Sequence, residues 1–349
     1  MSLRDALRHQ ARACASLGSP FMERLLTGLS EHWPEASALA HACAAWDGED
    51  LGPSGASLPL RIAAGLHALV LRGSDPALAT VYPPNSVPDT DLVEAVLKAI
   101  DAQADFLCDW IQSPPQTNEV RRSAALIPAA HWISAHHPLP MMVSELGASA
   151  GLNLMWDRFA VATPDGRLGA EQPTLVLSPD WTGLAPAAQA ISVRDRRGVD
   201  LNPIDPHDAD GALRLRAYLW PDQPERMRLT DAAIAVQDAT VDRGDAIDWL
   251  ADRLPQQPEG TLHLIYHTVA WQYFPPEAQT LGTALIEQAG ASATPSTPVV
   301  WLRMEADGQS PGASLTLRLW PGDHHVTLAR VDFHGRWITW TAPAAISAT

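Results

Sequence analysis

From Ser2 to about Ala135 apolar residues recur at three- and four-residue spacing, in stretches such as PFMERLLTGLSEHW, LRIAAGLHALVLRG and DLVEAVLKAIDAQADFLCDWI, with Pro, Gly and Ser clusters between them. That spacing gathers the apolar side chains of each stretch on one helical face, so residues 1–135 are expected to form a helical N-terminal domain or lid. After His136 the texture changes. Short apolar runs ending in Gly, Asp or Pro (PMMVSELG, VRDRRGVDLNP, IAVQDATVDRGD, GTLHLIYHT, PVVWLRMEADG) alternate with helical stretches, which is the pattern of βαβ units around a parallel sheet. In SLTLRLWPG, HHVTLARVDFHG and RWITWTA apolar and polar residues alternate, with breaks at Pro321-Gly322 and Gly335. An antiparallel finish on the parallel sheet follows from that. A second, α/β domain is therefore expected over 136–349, with an inserted hairpin and loop at about 162–192.

The chain has 349 residues, 46% hydrophobic and 18% charged, a composition that supports a sizeable core. Its 40 acidic residues outnumber 24 basic ones for a net charge of −16, and no basic run occurs. General binding to nucleic acid or to an anionic membrane needs clustered positive charge and is not expected. The single lysine, Lys98, lies in the apolar-periodic stretch LVEAVLKAID, which argues against a P-loop and against Schiff-base chemistry. Cys14, Cys43 and Cys108 are widely separated, so neither a disulfide framework nor a cysteine-rich metal site is expected. The opening MSLRDALRHQARACASLG carries charges where a secretion signal would be apolar, and the expected location is cytoplasmic.

The most informative segment is VSELGASAGLNLMWDRF, residues 143–159. It reads as a strand, a turn of small residues from Gly147 through Ser149 to Gly151, and a helix. Such a turn lets the backbone approach a ligand, and the helix start offers N–H groups to an anion; a turn built only for packing is the plainer alternative. Two further acids stand where strands are expected to end. Asp200 in GVDLNP could accept ribose hydroxyls, and Asp245 in RGDA the amine of adenine. Each alone could be a helix cap. The fourth strand, Leu262 to Tyr266, runs into HTVAWQYF, so His267, Gln272 and Tyr273 are candidates to position or deprotonate a reactant. Upstream, Asn118, Glu119 and Arg122 in QTNEVRR stand just before the first strand, either as a cap and an ion pair or as part of the site. Tyr82-Pro83-Pro84 could reach over the cleft.

The series Glu145-x-Gly147-x-Ser149-x-Gly151, GVDLNP and RGDA, with a fourth strand and an antiparallel end, resembles the class I S-adenosylmethionine-dependent methyltransferases. The chain also looks like a member of a bacterial domain-of-unknown-function family that shares QTNEVRRSAAL, ELGASAGLNLMWDRF, GVDLNPIDP and LWPDQPERMRL. The methyltransferase resemblance implies a Rossmann-like seven-stranded sheet and S-adenosylmethionine as cofactor. Glu145 would then meet the methionine ammonium, Gly147, Ser149 and Gly151 would line the turn, Asp200 with Leu201 would hold the ribose, and Asp245 with Ala246 the adenine. His267 and Tyr273 would be catalytic, with Asn118, Glu119, Arg122 and Gln272 binding a small-molecule or protein acceptor. Here Ser149 replaces the usual middle glycine, and Gly151 and Asp200 are farther apart than usual.

Three rivals follow from the same residues. A dinucleotide fingerprint would need glycines at positions held by Ser149 and Leu152. The sequence Gly147-Ala148-Ser149-Ala150-Gly151 also fits a hydrolase elbow with Ser149 as nucleophile, with Asp307 and His324 or His325 as partners. A non-catalytic module that binds S-adenosylmethionine is the third. The acids and histidine of PHDADGAL, residues 206–213, read as a helix start rather than a metal site.

Overall fold

Serines set the first helices. In the computed structural model, which describes residues 1–52 and 55–346, α1 (Leu3–Ser16), α2 (Pro20–His32) and α3 (Ala38–Cys43) each follow a serine whose hydroxyl accepts a first-turn N–H. These caps satisfy donors that a helix start leaves open. Then come α4 (Leu58–Leu71), α5 (Pro76–Ala79), α6 (Asp89–Ala102) and α7 (Ala104–Trp110). Apolar on almost every side, α4 buries eleven of its residues, Arg61 and His67 among them. Leu25, Leu26, Ile62, Leu66, Val96 and Ile100 make the core around it. Tyr82, expected to reach over a cleft, is instead 1% exposed and packs against Phe21 and His67 inside this helical unit. The unit comprises Met1–Thr117 and Pro206–Arg228.

The second unit comprises Asn118–Asp205 and the chain from Leu229 onward. It begins with α8 (Ser123–His136), mostly apolar and buried at twelve positions, and so α8, placed by its sequence pattern with the helical half, packs in this unit. Next is β1 (Met141–Leu146), buried throughout. Within the expected insertion β2 (Ala160–Thr163) and β3 (Gly166–Gly169) form a hairpin, and β4 (Val176–Leu177) pairs with β2 to complete a small sheet. The short β5 (Asp180–Thr182) leaves it to join the main sheet.

The main sheet takes β6 (Val193–Asp200), then, after α9 (Ala209–Ala217) and α10 (Pro224–Ile234), β7 (Thr240–Arg243). It continues through α11 (Ala246–Arg253), β8 (Leu262–Thr268), α12 (Pro276–Ala291) and β9 (Val299–Glu305). It closes with β10 (Ala313–Trp320), β11 (His324–Val331) and β12 (Trp337–Trp340). The order is β5-β12-β11-β10-β9-β8-β1-β6-β7. From β7 to β9 neighbours are parallel, and β9 to β12 form an antiparallel meander whose turns carry Pro321-Gly322 and Gly335. The protein is thus a mixed α/β chain with a large, mostly parallel sheet and a helical N-terminal region. The resemblance implied seven strands; the sheet has nine, because β12 and the inserted β5 extend its antiparallel side.

Chain order along the parallel strands fixes where a crevice must open. From β1 the chain steps outward to β6 and β7, then crosses back to β8 and β9 on the other side of β1. In open parallel sheets ligands bind at such a switch point, which here lies outside the carboxyl ends of β1 and β8.

Candidate functional site

At that switch point Glu145 on β1 lies opposite Tyr266 on β8. The Tyr266 hydroxyl shares its proton between Glu145 Oε2 at 3.2 Å and the Asn153 carbonyl at 3.1 Å. Glu145 is 2% exposed, and burial pushes its carboxyl up to about 8, against the pull of Tyr266 and Arg122. It therefore supports the turn from beneath and is not presented to a ligand's ammonium group, the task the resemblance implied for it.

Beyond β1 the turn takes positive φ at Gly147 (74°), Ser149 (55°) and Gly151 (71°). A Cβ on Gly147 would stand 2.7 Å from Ala270 Cβ, and one on Gly151 2.8 Å from Val241 Cγ2. Both glycines are thus required by backbone conformation and packing within the protein. The helix expected after the turn is a 3₁₀ helix, Leu152–Arg158. Its start is already served: Leu152 N–H donates to Asn118 Oδ1 at 2.7 Å. Other N–H groups of the turn are engaged as well, Gly147 and Ala148 with the Val199 carbonyl and Ser149 with Asp200 Oδ2 at 2.9 Å. A diphosphate needs a row of such donors, so this turn is poorly suited to a dinucleotide. What the strand ends offer is carboxylate.

Asp200 closes β6, and besides Ser149 it accepts the Asn202 N–H at 2.8 Å, tying the β1 turn to the next strand. Leu201 beside it is 67% exposed. Asp245, two residues past β7 and exposed, caps α11 by accepting the Ile247 and Asp248 N–H groups, and Ala246 opens that helix. The capping alternative for Asp245 is therefore realised, at a strand end adjacent to that of Asp200.

The upstream residues Asn118, Glu119 and Arg122 join the same edge. Asn153 donates to the Glu119 carbonyl and accepts from Ser123 Oγ, and Glu119 itself, 4% exposed, pairs with Arg121 rather than Arg122. Arg122 donates through Nη1 to the Thr268 carbonyl and through Nε to the Phe333 carbonyl, both at 3.0 Å. Burial lowers its guanidinium, against the pull of Glu119, Glu305, Tyr273 and Glu145. Asn118, Glu119 and Arg122 thus organise the carboxyl edge of β1 and β8, chiefly through bonds within the protein.

His267 is fully buried with both ring nitrogens engaged. The Trp301 indole can only donate, so His267 Nε2 accepts it at 3.0 Å and the ring proton resides on Nδ1, which donates to Glu305 Oε1 at 2.6 Å. A ring so occupied has no nitrogen for a reactant, which corrects the expectation that His267 acts as a base. Gln272 and Tyr273 are exposed in the short turn after β8, Tyr273 by 63%. Glu305 and Trp301 escaped the sequence reading: in VVWLRMEADG they carry only the signal of a strand and its end.

The hydrolase arrangement fails on distance. Ser149 stands past the carboxyl end of β1, and its buried Oγ has no hydrogen-bond partner among the described residues. His324 and His325 start β11 opposite Leu319 and Arg318, near Val299 at the amino end of β9. The two edges are separated by a strand length of roughly 20 Å. Asp307 pairs with Arg330.

These features define a mixed α/β protein whose parallel strands end in carboxylates around a topological switch point. The chain belongs to the family described as an uncharacterized protein conserved in bacteria (DUF2332), whose family model matches residues 4–340. No curated protein matches it. Among the described residues no helix is long and apolar enough to cross a membrane.

Proposed function

We propose that the α/β unit is an S-adenosylmethionine-dependent methyltransferase domain acting on a small-molecule or protein acceptor. The observation that carries this reading is the pair of acids at the carboxyl ends of two adjacent parallel strands, Asp200 on β6 and Asp245 after β7, beside the β1 turn that Glu145 supports from within. Carboxylates at those ends suit a ligand that presents hydroxyls and an amine, while the engaged N–H groups of the turn disfavour phosphate. The residues fit the nucleoside end of the cofactor best: Asp200 would accept ribose hydroxyls, exposed Leu201 would cover an apolar ring face, and Asp245 would face the adenine amine.

When bound, the cofactor supplies an electrophilic methyl group on sulfur. The chain's own task is alignment and exclusion of water. Glu145, Tyr266 and Asn153 hold the turn, Asp200 fixes its middle at Ser149 and Asn118 its exit at Leu152, and Gln272 and Tyr273 stand exposed for the acceptor. Calorimetry with S-adenosylhomocysteine tests the reading. Asp200→Ala should weaken binding about tenfold or more, since a hydrogen bond to a charged group contributes roughly 1.5 to 3 kcal/mol. Unchanged affinity in a folded variant would remove Asp200 from the site.

A further inference from the structure

Glu305, the last residue of β9, gathers three donors on one oxygen. Its Oε1 accepts His267 Nδ1–H at 2.6 Å, the Ala270 N–H at 2.9 Å and the Trp271 N–H at 3.1 Å, while Oε2 has no hydrogen-bond partner among the described residues. The carboxylate is thus aimed at the segment that leaves β8. Within that segment Val269 has a φ of 53°, a region that β-branched residues avoid and that persists only where the surroundings impose it. Its N–H is held by the Met304 carbonyl at 2.8 Å. The histidine under the clamp is fixed in turn, stacked on Trp271 with ring centroids 4.9 Å apart and capped by Trp301.

We propose that Glu305 is a positioning residue, which clamps residues 268–271 in a strained turn and so presents Gln272 and Tyr273 to the reactant. Its part in presenting them to a methyl acceptor rests on the methyltransferase reading; the clamp does not. His267 serves the clamp by donating its Nδ1 hydrogen to Glu305 and offering a flat face to Trp271, which explains why a buried histidine stands next to the end of β8. Burial pushes the Glu305 carboxyl up, but the bonds from His267, Ala270 and Trp271 outweigh it and hold the group below its ordinary value.

Amide hydrogen exchange on the full chain without ligand tests this, with ¹⁵N resonances of the histidines recorded alongside. In Glu305→Ala the Ala270 and Trp271 amides should exchange at least tenfold faster, and the His267 Nδ1 proton signal should lose its strongly hydrogen-bonded shift. Glu305→Gln, which keeps an acceptor oxygen, should recover part of the protection. Adding Val269→Gly to Glu305→Ala should also recover part, because glycine holds the turn without strain. Amides as slow as in the parent in a folded Glu305→Ala variant would overturn the clamp. Should that variant not fold, Val269→Gly in the parent decides: equal or slower exchange supports an imposed strain, and faster exchange refutes it. Failure of these tests leaves the methyltransferase reading standing, and failure of cofactor binding leaves the clamp standing.

Discussion

Replacing Glu145 by glutamine should make the protein more stable at neutral pH and no more stable in mild acid. Glu145 is 2% exposed, and burial is the largest influence on its carboxyl, raising it from 4.5 to about 8. Between those values the unfolded chain gives up this proton and the folded chain keeps it, so stability falls as pH rises through the window. At pH 7 roughly 2.5 pH units of the window have been crossed, and at 1.36 kcal/mol per unit the folded state has lost up to about 3 kcal/mol. Glutamine keeps the shape, remains neutral and can accept the Tyr266 hydroxyl, so it avoids that loss. Urea unfolding of parent and Glu145→Gln from pH 4.5 to 8.5, followed by far-ultraviolet circular dichroism, isolates the effect, because all other titrations cancel in the difference. The difference should be near zero at pH 4.5 and grow toward 3 kcal/mol by pH 7. A difference that stays constant with pH, or a glutamine variant less stable than the parent at pH 7, would refute the burial argument.

Histidines act with the opposite sign on the acid side. Burial holds His67 and His131 down to about 4 and His263 to about 3, from 6.5, so the unfolded chain takes up protons that the folded chain refuses. The urea midpoint should fall as pH drops from 6.5 to 4, and a midpoint independent of pH there would contradict it. A fluorophosphonate probe should leave Ser149 unlabelled, and Ser149→Gly should stabilise the protein by about 1 kcal/mol by relieving a left-handed serine; stoichiometric labelling at Ser149 would restore the hydrolase reading. Gly151→Ala should cost about 1 to 3 kcal/mol, since the new methyl would meet Val241 Cγ2 at 2.8 Å at a φ of 71°. Thermal unfolding of the variant checks this, and an unchanged midpoint would count against the packing account of the turn.

The features that sequence makes legible here are those carried by local pattern. PMMVSELG, GVDLNP and RGDA mark the ends of β1, β6 and β7: in β1 burial on both faces gives a nearly continuous apolar run, whereas β6 and β7 carry charged residues along their length and are marked by the Gly, Asp and Pro at or after their ends. Alternation in the last third foretells the meander, and Pro321-Gly322 the turn between β10 and β11. Long-range bonds leave no such trace. Asn118 reaches Leu152 across 34 residues, His267 meets Glu305 across 38, and Arg122 caps the Thr268 carbonyl across 146. Each was legible as a polar residue near a strand or helix end, but its partner was not. Hence His267 read as a base although it is a buried link between Trp301 and Glu305. The 3₁₀ helix after Gly151 was hidden for a similar reason: Leu152 through Trp156 are buried together, and that packing overrides the helical pattern.

The proposed nucleoside-sulfonium site at the carboxyl ends of β1, β6 and β7 can be probed by thermal unfolding with S-adenosylmethionine, S-adenosylhomocysteine and NAD side by side. A ligand present at 100 times its dissociation constant adds about 2.7 kcal/mol to the folded state. A clear rise in midpoint is expected with S-adenosylmethionine and S-adenosylhomocysteine, reduced in Asp200→Ala, and none with NAD. A rise with NAD alone, or no rise with any of the three at millimolar concentration, would contradict it.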